Sequence, residues 1–155
     1  TAPRGTANRG YPLRNLDGWL NPIVFQGAIN AEIFEWWLEN LILPNCNPGD
    51  STRDIIIMDN CSIHKSERVQ QLCDEASVQL EYLPPYSPRF NPIEASFHDF
   101  KAFVRRHYKV RSLEDYNGFE DFLVWAVEVA GSGAELAKKA RGHFRHAGYL
   151  GVPED

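Results

Sequence analysis

The sequence predicts an α/β domain in which helices pack on a mostly parallel sheet. Segments typical of strands alternate with segments whose apolar residues recur at helical spacing. Capping residues stand at the start of several of the helical segments. One strand segment, residues 55–59 (IIIMD), is apolar up to its final acid, as expected for a strand buried in a sheet. The resulting order, β-α-β-α-β-α followed by further helices, is the alternation that defines this class.

The first half of the chain carries two strands and one helix by this reading. Residues 1–16 are predicted to be irregular because glycines and prolines interrupt any period, and LDGW at 16–19 predicts a turn. Residues 23–29 (IVFQGAI) predict a strand. Asn30 is a good cap for a helix that should end at Pro44. Residues 55–59 then predict a strand buried on both faces.

The second half is predicted to be mainly helical. Ser66 should cap a helix, and residues 78–82 alternate like a strand. The segment 84–92 (PPYSPRFNP) has four prolines in nine residues, so it predicts a loop that ends with Asn91 as N-cap and Pro92 as first helical residue. Further helices are predicted from Ser112 to Gly131 and from Ser132 to Gly142.

Composition narrows the protein class. A chain of 155 residues predicts one domain, spanning 1–155, that needs no disulfide scaffold. No apolar run approaches the roughly 20 residues that cross a bilayer, and TAPRGTANRG is no secretory signal, so no membrane partner is expected. Three cysteines without metal-type spacing indicate reduced thiols in an intracellular protein.

Charge is unevenly distributed along the chain. The net charge of −5 argues against indiscriminate nucleic-acid binding. Residues 100–111, however, carry five Lys or Arg residues and no acid, whereas residues 17–50 carry five acids and no Lys or Arg. The sequence therefore predicts an acidic face and a local basic stripe.

Two acids stand where chemistry is expected. Asp59 ends a predicted strand, and ligands of α/β sheets gather beyond the carboxyl ends of strands. An Asp-Asn turn that bonds nearby amides is the alternative for this residue. Glu94 is the third residue of the helix that begins at Pro92, where a capping glutamate is equally expected.

As a pair, these acids predict a cation site. Two carboxylates about 4 Å apart repel by roughly 4 kcal/mol at an effective dielectric near 20, so they need a cation or a raised pKa. Mg²⁺ suits them because it binds one or two carboxylates and keeps several waters. Two-metal phosphoryl transfer needs a further bridging acid. The sequence supplies Asp59 and Glu94 in good positions, but no third acid of this kind.

Four other residues are candidate DNA contacts. His64 lies in the loop after Asp59 and could contact a phosphate or a bound water, although a loop histidine without a role is the alternative. Lys101, Arg105 and Arg106 follow Glu94 on the same predicted helix. They could hold DNA phosphates without reading sequence, or they could form a solvated basic face.

The chain resembles the catalytic core of mariner-type DDE transposases. The resemblance rests on MDNCSIHKS at 58–66, LEYLPPYSPRFNPIE at 80–94 and the DGW, QGAIN and WLEN segments of 17–40. It implies a ribonuclease-H-like mixed sheet flanked by helices. It also implies that Asp59 is the second and Glu94 the third catalytic acid, that Mg²⁺ or Mn²⁺ is the cofactor, and that the parent family hydrolyses DNA phosphodiesters and transfers strands.

The sequence departs from this family at its start. The family's first acid sits on the first sheet strand, upstream of the matching region, so we expect the N-terminal strands and that acid to be missing here. The resemblance then implies a domain that does not cleave DNA by itself. Because the missing strand would lie beside residues 54–59, we also expect an uncovered strand edge, closed by residues 1–16 or by a second copy in a homodimer.

Two other functions remain open at this stage. One is a domesticated, non-enzymatic module that binds protein or chromatin, which the acidic balance favours. The other is an intact nuclease that uses a different third acid, either Asp17 or Asp99. Asp99 points about 140° away from Glu94 on the same helix, which disfavours it. A transposase relative acting on DNA would reside in the nucleus.

Overall fold

The computed structural model describes residues 8–15, 17–26, 28–49, 54–108, 118–130 and 134–154. These residues divide into two units by their contacts. The first unit comprises Ala28–Asn91, and the second comprises residues 8–26 and 92–154. That the chain acts as one domain stays a prediction. No helix among the described residues is long and apolar enough to cross a membrane.

The first unit begins with a helix where the sequence predicted one. Helix α1 spans Ala31–Trp37, and the Asn30 side chain accepts a hydrogen bond of 2.9 Å from the Ile33 amide. This bond satisfies one of the amides that a helix leaves unpaired at its N-terminus. The helical path continues through a π-helical turn at Leu38–Ile42 and a 3₁₀ turn at Leu43–Asn45.

A parallel strand pair with a connecting helix follows. Strand β3 (Ile55–Met58) pairs in parallel with strand β4 (Gln79–Tyr82), and helix α2 (Glu67–Glu75) joins them. As predicted, Ser66 caps α2: its hydroxyl accepts from the Val69 amide at 3.2 Å. The two strands that precede them in the chain, β1 (Asn8–Asn15) and β2 (Gly18–Gln26), belong to the second unit.

The core of the first unit is formed by apolar side chains that lie in these helices and strands or beside them. Its buried members are Ile33, Phe34, Trp37, Leu38, Ile42, Ile56, Met58, Val69, Leu72, Cys73 and Val78. Burial raises the pKa of the Cys73 thiol to about 11, with smaller contributions from Cys46 and Asp74. The thiol therefore stays neutral at ordinary pH. The three cysteines form no disulfide among the described residues.

Strand β3 differs from expectation in its exposure. Ile56 and Met58 are buried, but Ile55 is 50% exposed and Ile57 39% exposed. Alternate side chains of a strand point to opposite faces, so only one face of β3 is covered. The prediction of burial on both faces was wrong. A run of consecutive isoleucines shows that the segment is apolar, but it does not show whether another layer packs against each face.

The second unit begins with a hairpin that the sequence did not predict. Strand β1 (Asn8–Asn15) pairs antiparallel with strand β2 (Gly18–Gln26). The expectation that residues 1–16 are irregular was wrong for 8–15, and the strand expected at 23–29 begins earlier and ends at Gln26. The turn lies where LDGW predicted it, and Gly18 there has a φ of 133°. Most residues avoid that region, and glycine does not.

Three helices complete the second unit. Helix α3 spans Pro92–Tyr108, which confirms the predicted start after Asn91. Helix α4 spans Phe119–Ala130, and helix α5 spans Ala134–His146. The predicted boundaries at Ser112, Gly131 and Ser132 lie outside the described residues.

The end of α5 corrects one prediction. The helix passes through Gly142, which was expected to stop it, and ends at His146, two residues before Gly148, whose φ is 92°. There the Gly148 amide donates to the Arg145 carbonyl and the Tyr149 amide to the Phe144 carbonyl. This pattern satisfies the last carbonyls of a helix. A glycine inside a helix costs about 1 kcal/mol, which the packing of the flanking turns outweighs.

Candidate active site

Asp59 lies directly beyond the carboxyl end of β3. Its side chain is 52% exposed. One carboxylate oxygen, Oδ1, accepts a hydrogen bond from the Cys61 amide at 3.2 Å and lies 2.7 Å from Nδ1 of His64. Neither contact uses Oδ2. The Asp-Asn turn that the sequence offered as the alternative is therefore present, and it leaves half of the carboxylate facing solvent.

His64 is buried beside this acid. It closes a 3₁₀ turn at Ser62–His64 and is 7% exposed. Its ring centroid lies 4.5 Å from that of Phe34, and its carbonyl accepts a 2.5 Å hydrogen bond from the Tyr82 hydroxyl. Burial, with a smaller contribution from Cys73, raises the pKa of Tyr82, so this phenol keeps its proton. The sequence offered two possibilities for His64, a contact to a phosphate or a bound water and a loop histidine without a role. The structure places it under the Asp59 carboxylate.

Asn60 supplies a second oxygen near the strand end. Its side-chain Oδ1 is buried and has no hydrogen-bond partner among the described residues. Leaving a buried carbonyl oxygen unpaired costs about 1–3 kcal/mol. Asp59 and Asn60 thus offer oxygen donors of the kind that Mg²⁺ and Mn²⁺ prefer.

Glu94 occupies the first turn of α3 and is exposed. A carboxylate at this position interacts favourably with the positive end of the helix dipole. Asp59 belongs to the first unit and Glu94 to the second. Their convergence on one cation therefore stays a prediction. Within the described residues, no cluster of three or more His, Cys, Asp or Glu side chains is arranged to hold a metal ion.

The basic residues of α3 are exposed. Lys101 and Arg105 follow Glu94 by seven and eleven residues, so they share its helix face, with Lys101 about 10 Å further along the axis. Arg106 is also exposed but lies about 120° around the helix from Glu94. A polyanion lying along this face would meet Lys101 and Arg105 together.

The two alternative acids occupy different surroundings. The Asp17 amide donates to Oδ1 of Asn15 at 3.0 Å in the hairpin turn. The Asp99 carboxylate lies 3.3 Å from Nε2 of His143, whose Nδ1 lies 3.4 Å from the Ser96 hydroxyl. Although this row contains a serine, a histidine and an aspartate, Ser96 is only 2% exposed. This burial, and the 3.4 Å hydrogen bond that the Ser96 hydroxyl donates to the Pro92 carbonyl, favour a structural role for the row.

Ser96, Asp99 and His143 also line a cavity within the second unit. Its volume is about 220 Å³, and its walls come from β2, α3, α4 and α5. The indole Nε1 of Trp19, one of the lining residues, is buried and has no hydrogen-bond partner among the described residues. No feature of the sequence predicted this cavity, because its lining residues come from four separate elements.

Comparison with known proteins identifies relatives of the chain. A sequence model of the family described as DDE superfamily endonuclease matches residues 12–117. This range contains Asp59, Glu94 and the basic residues of α3. No curated protein matches the chain.

Solved structures share the fold. The catalytic domain of Mos1 transposase, in a structure with Raltegravir and Mn, has a TM-score of 0.61 at 15% identity, covering 90% of this chain and 77% of that one. The catalytic domain of Mos1 mariner transposase alone gives 0.57 at 15% identity, with 90% and 72% covered. A pre-cleavage Mos1 transpososome gives 0.55 at 16%, with 88% and 43% covered. The predicted ribonuclease-H-like fold is confirmed.

Proposed function

This chain belongs to the DDE superfamily endonucleases, and from that membership we propose that residues 1–155 form a transposase-type catalytic core holding two metal-binding acids, Asp59 and Glu94. The observation that carries the proposal is the position of Asp59. It lies at the carboxyl end of β3 with Oδ1 fixed and half of its surface open to solvent. Glu94 supports it, since its helix begins where the matching motif requires.

The residues present fit Mg²⁺ or Mn²⁺ in their donor chemistry. Asp59 and Glu94 supply carboxylate oxygens, and Asn60 supplies a buried amide oxygen without a partner. A bound divalent ion would stabilise the charge that develops on the attacking and leaving oxygens of a phosphodiester. The role of the acids is to hold that ion, and two rather than three of them are present in this part of the site.

DNA is the proposed substrate and partner. In the parent chemistry a water or a 3′-hydroxyl oxygen attacks the phosphorus of a phosphodiester, the bond to the leaving oxygen breaks, and that oxygen takes up a proton. The part of this chain is to position the DNA backbone. Lys101 and Arg105 suit that role because they are exposed on the Glu94 face of α3, and Arg106 suits it less well. Because DNA is the proposed substrate, we propose that the protein resides in the nucleus.

We expect the 155-residue polypeptide to be inactive as a nuclease by itself. The family's chemistry uses a third acid on the first sheet strand, and two acids leave one metal poorly held. The measurement is nicking of supercoiled plasmid with Mg²⁺ or Mn²⁺, for the wild-type chain and for Asp59→Ala. Both should leave the plasmid intact. Robust nicking by wild type that Asp59→Ala abolishes would contradict the expectation.

A homodimer is the second structural part of the proposal. Within the described residues β3 pairs on one side only, with β4, and its outer face exposes Ile55 and Ile57. An unpaired strand edge beside exposed apolar side chains favours pairing with another chain. We propose that a second copy of the chain covers this edge, with residues 1–16 as the other candidate.

The dimer is tested by light scattering at micromolar concentration. Wild type should show twice the monomer mass of 17.7 kDa. Ile55→Lys/Ile57→Lys should shift the mass towards the monomer, because charges on the exposed face oppose association. Val124→Lys/Val129→Lys, which alters two exposed valines on α4, is the matched control and should stay dimeric. A wild-type monomer would refute the dimer.

A second candidate function is a domesticated module that binds protein or chromatin without catalysis. The exposed isoleucine face of β3 and the net charge of −5 favour it. Calorimetry with Mn²⁺ separates the two candidates, because only a working metal site should release or absorb heat that Asp59→Asn removes.

A further inference from the structure

We propose that His64 is a positioning residue that holds the Asp59 carboxylate in the orientation needed to bind a metal ion. The inference rests on the proposed function, since it assigns Asp59 as a ligand. It differs from both possibilities that the sequence offered for His64, a contact to DNA phosphate or bound water and a loop histidine without a role. The evidence is the geometry of three side chains around the end of β3.

The first step is the fixing of Asp59. The Oδ1 atom is held from two directions, by Nδ1 of His64 at 2.7 Å and by the Cys61 amide at 3.2 Å. Two contacts to one oxygen fix both torsions of an aspartate. A half-exposed carboxylate without them would sample several rotamers, and metal binding would have to restrict them. With Oδ1 fixed, the direction of Oδ2 is fixed as well.

The second step is the fixing of His64 itself. Its ring packs at 4.5 Å from Phe34, which is 2% exposed and belongs to the core. Its carbonyl receives the Tyr82 hydroxyl at 2.5 Å, which ties the 3₁₀ turn to β4. The imidazole therefore cannot follow a moving carboxylate. The orientation of the Asp59 carboxylate is therefore held by His64, which is itself packed against the core of the first unit.

The third step separates this role from a DNA contact. A phosphate contact needs an accessible nitrogen, but the His64 side chain is 9% exposed and Nδ1 already faces Asp59. Burying a polar imidazole against an aromatic ring costs free energy, and a residue that contacted only a phosphate in solvent would not need that burial. The arrangement matches the outer-shell partners that orient metal ligands, whose loss typically lowers metal affinity about 10- to 100-fold.

Two substitutions of similar size test the proposal. His64→Asn keeps an N–H donor near the position of Nδ1, whereas His64→Leu removes it and keeps the bulk. We expect Leu to weaken Mn²⁺ binding about 10-fold or more, measured by calorimetry or by the electron paramagnetic resonance of free Mn²⁺, and Asn to stay within about 3-fold of wild type. Unfolding by urea should show a loss of stability for both, because both lose the aromatic ring that packs against Phe34.

The outcomes divide clearly. Equal Mn²⁺ affinity in wild type and His64→Leu would overturn the positioning role. So would an equal loss in Leu and Asn, because then only ring packing matters. Tyr82→Phe gives a second check with the ring retained: loosening the turn should weaken Mn²⁺ binding in the same direction by a smaller factor.

A metal-free measurement distinguishes failure of this inference from failure of the proposed function. If wild type binds no Mn²⁺, the metal site is refuted, and the contact is judged by a double-mutant cycle of Asp59→Ala and His64→Leu on the unfolding equilibrium. A coupling of about fivefold or more supports the positioning contact. Additive effects would overturn it.

Discussion

Asp59→Asn is expected to lower the Mn²⁺ affinity of the chain at least tenfold. Asparagine keeps the size of the side chain and its acceptor for the Cys61 amide, but it removes the negative charge that binds the ion. Hard divalent cations are held mainly by carboxylates, and few ligands are present here to compensate. Isothermal titration calorimetry measures the loss directly, at low ionic strength and near neutral pH.

Asp54→Asn provides the matched control for this experiment. Asp54 precedes the same strand at its opposite end and carries the same charge. Its substitution should leave the affinity within about twofold of wild type, because a unit charge more than one Debye length of about 8 Å away is largely screened. If both variants lost affinity equally, Mn²⁺ would be responding to net charge and not to a site.

Removing the basic face of α3 is expected to have the second large effect, on DNA binding. Lys101→Ala/Arg105→Ala should weaken binding to duplex DNA of any sequence. Each lost phosphate contact should also reduce the slope of log affinity against log salt by about 0.9, so the double variant should lose nearly 2. Fluorescence anisotropy with a labelled duplex over a range of salt concentrations gives both quantities.

The control removes two lysines from another helix. Lys138 and Lys139 are exposed on α5, and Lys138→Ala/Lys139→Ala changes the net charge by the same amount. Its salt slope should stay close to wild type. Arg106→Ala should have a smaller effect than either residue of the Glu94 face, since Arg106 lies about 120° around the helix. Equal slopes for both double variants would show that α3 is no DNA-binding face.

The parts of the fold that sequence reasoning located are those fixed by local chemistry. Asn30 and Ser66 cap their helices with short hydrogen bonds to amides three residues on. Pro92 begins α3 after a proline-rich loop that excludes other structures. Such signals act within a few residues, so one sequence is enough to read them.

The hairpin was missed because strand pairing is not local. Glycine and proline in residues 8–15 argue against a strand when this segment is considered alone. The strand forms because it pairs with β2. The register shifts between Tyr11 and Leu13, on either side of Pro12. A bulge is one of the few places where a strand tolerates proline. Likewise, Gly142 lies inside α5 because Gly148, six residues on, supplies the helix end.

Sequence reasoning singled out Asp59 and Glu94 as candidate site residues, but it did not predict the contacts around Asp59. Strand and helix ends identified Asp59 and Glu94, and the family match covers both. The contact between His64 and Asp59 depends on how the turn after β3 folds back on Phe34. A spacing of five residues does not encode that path. The exposure of Ile55 and Ile57 could not be predicted from the sequence either, because it depends on which other elements pack against that face of β3.

We propose that Asp59 and Glu94 bind the same cation. The direct test is a thermodynamic cycle of Mn²⁺ affinities for wild type, Asp59→Asn, Glu94→Gln and the double variant. A shared ion predicts that each single variant loses at least tenfold and that the double variant loses far less than the product of the two. Unchanged Mn²⁺ affinity in Glu94→Gln would contradict the shared site, and with it the metal-binding core proposed for this chain.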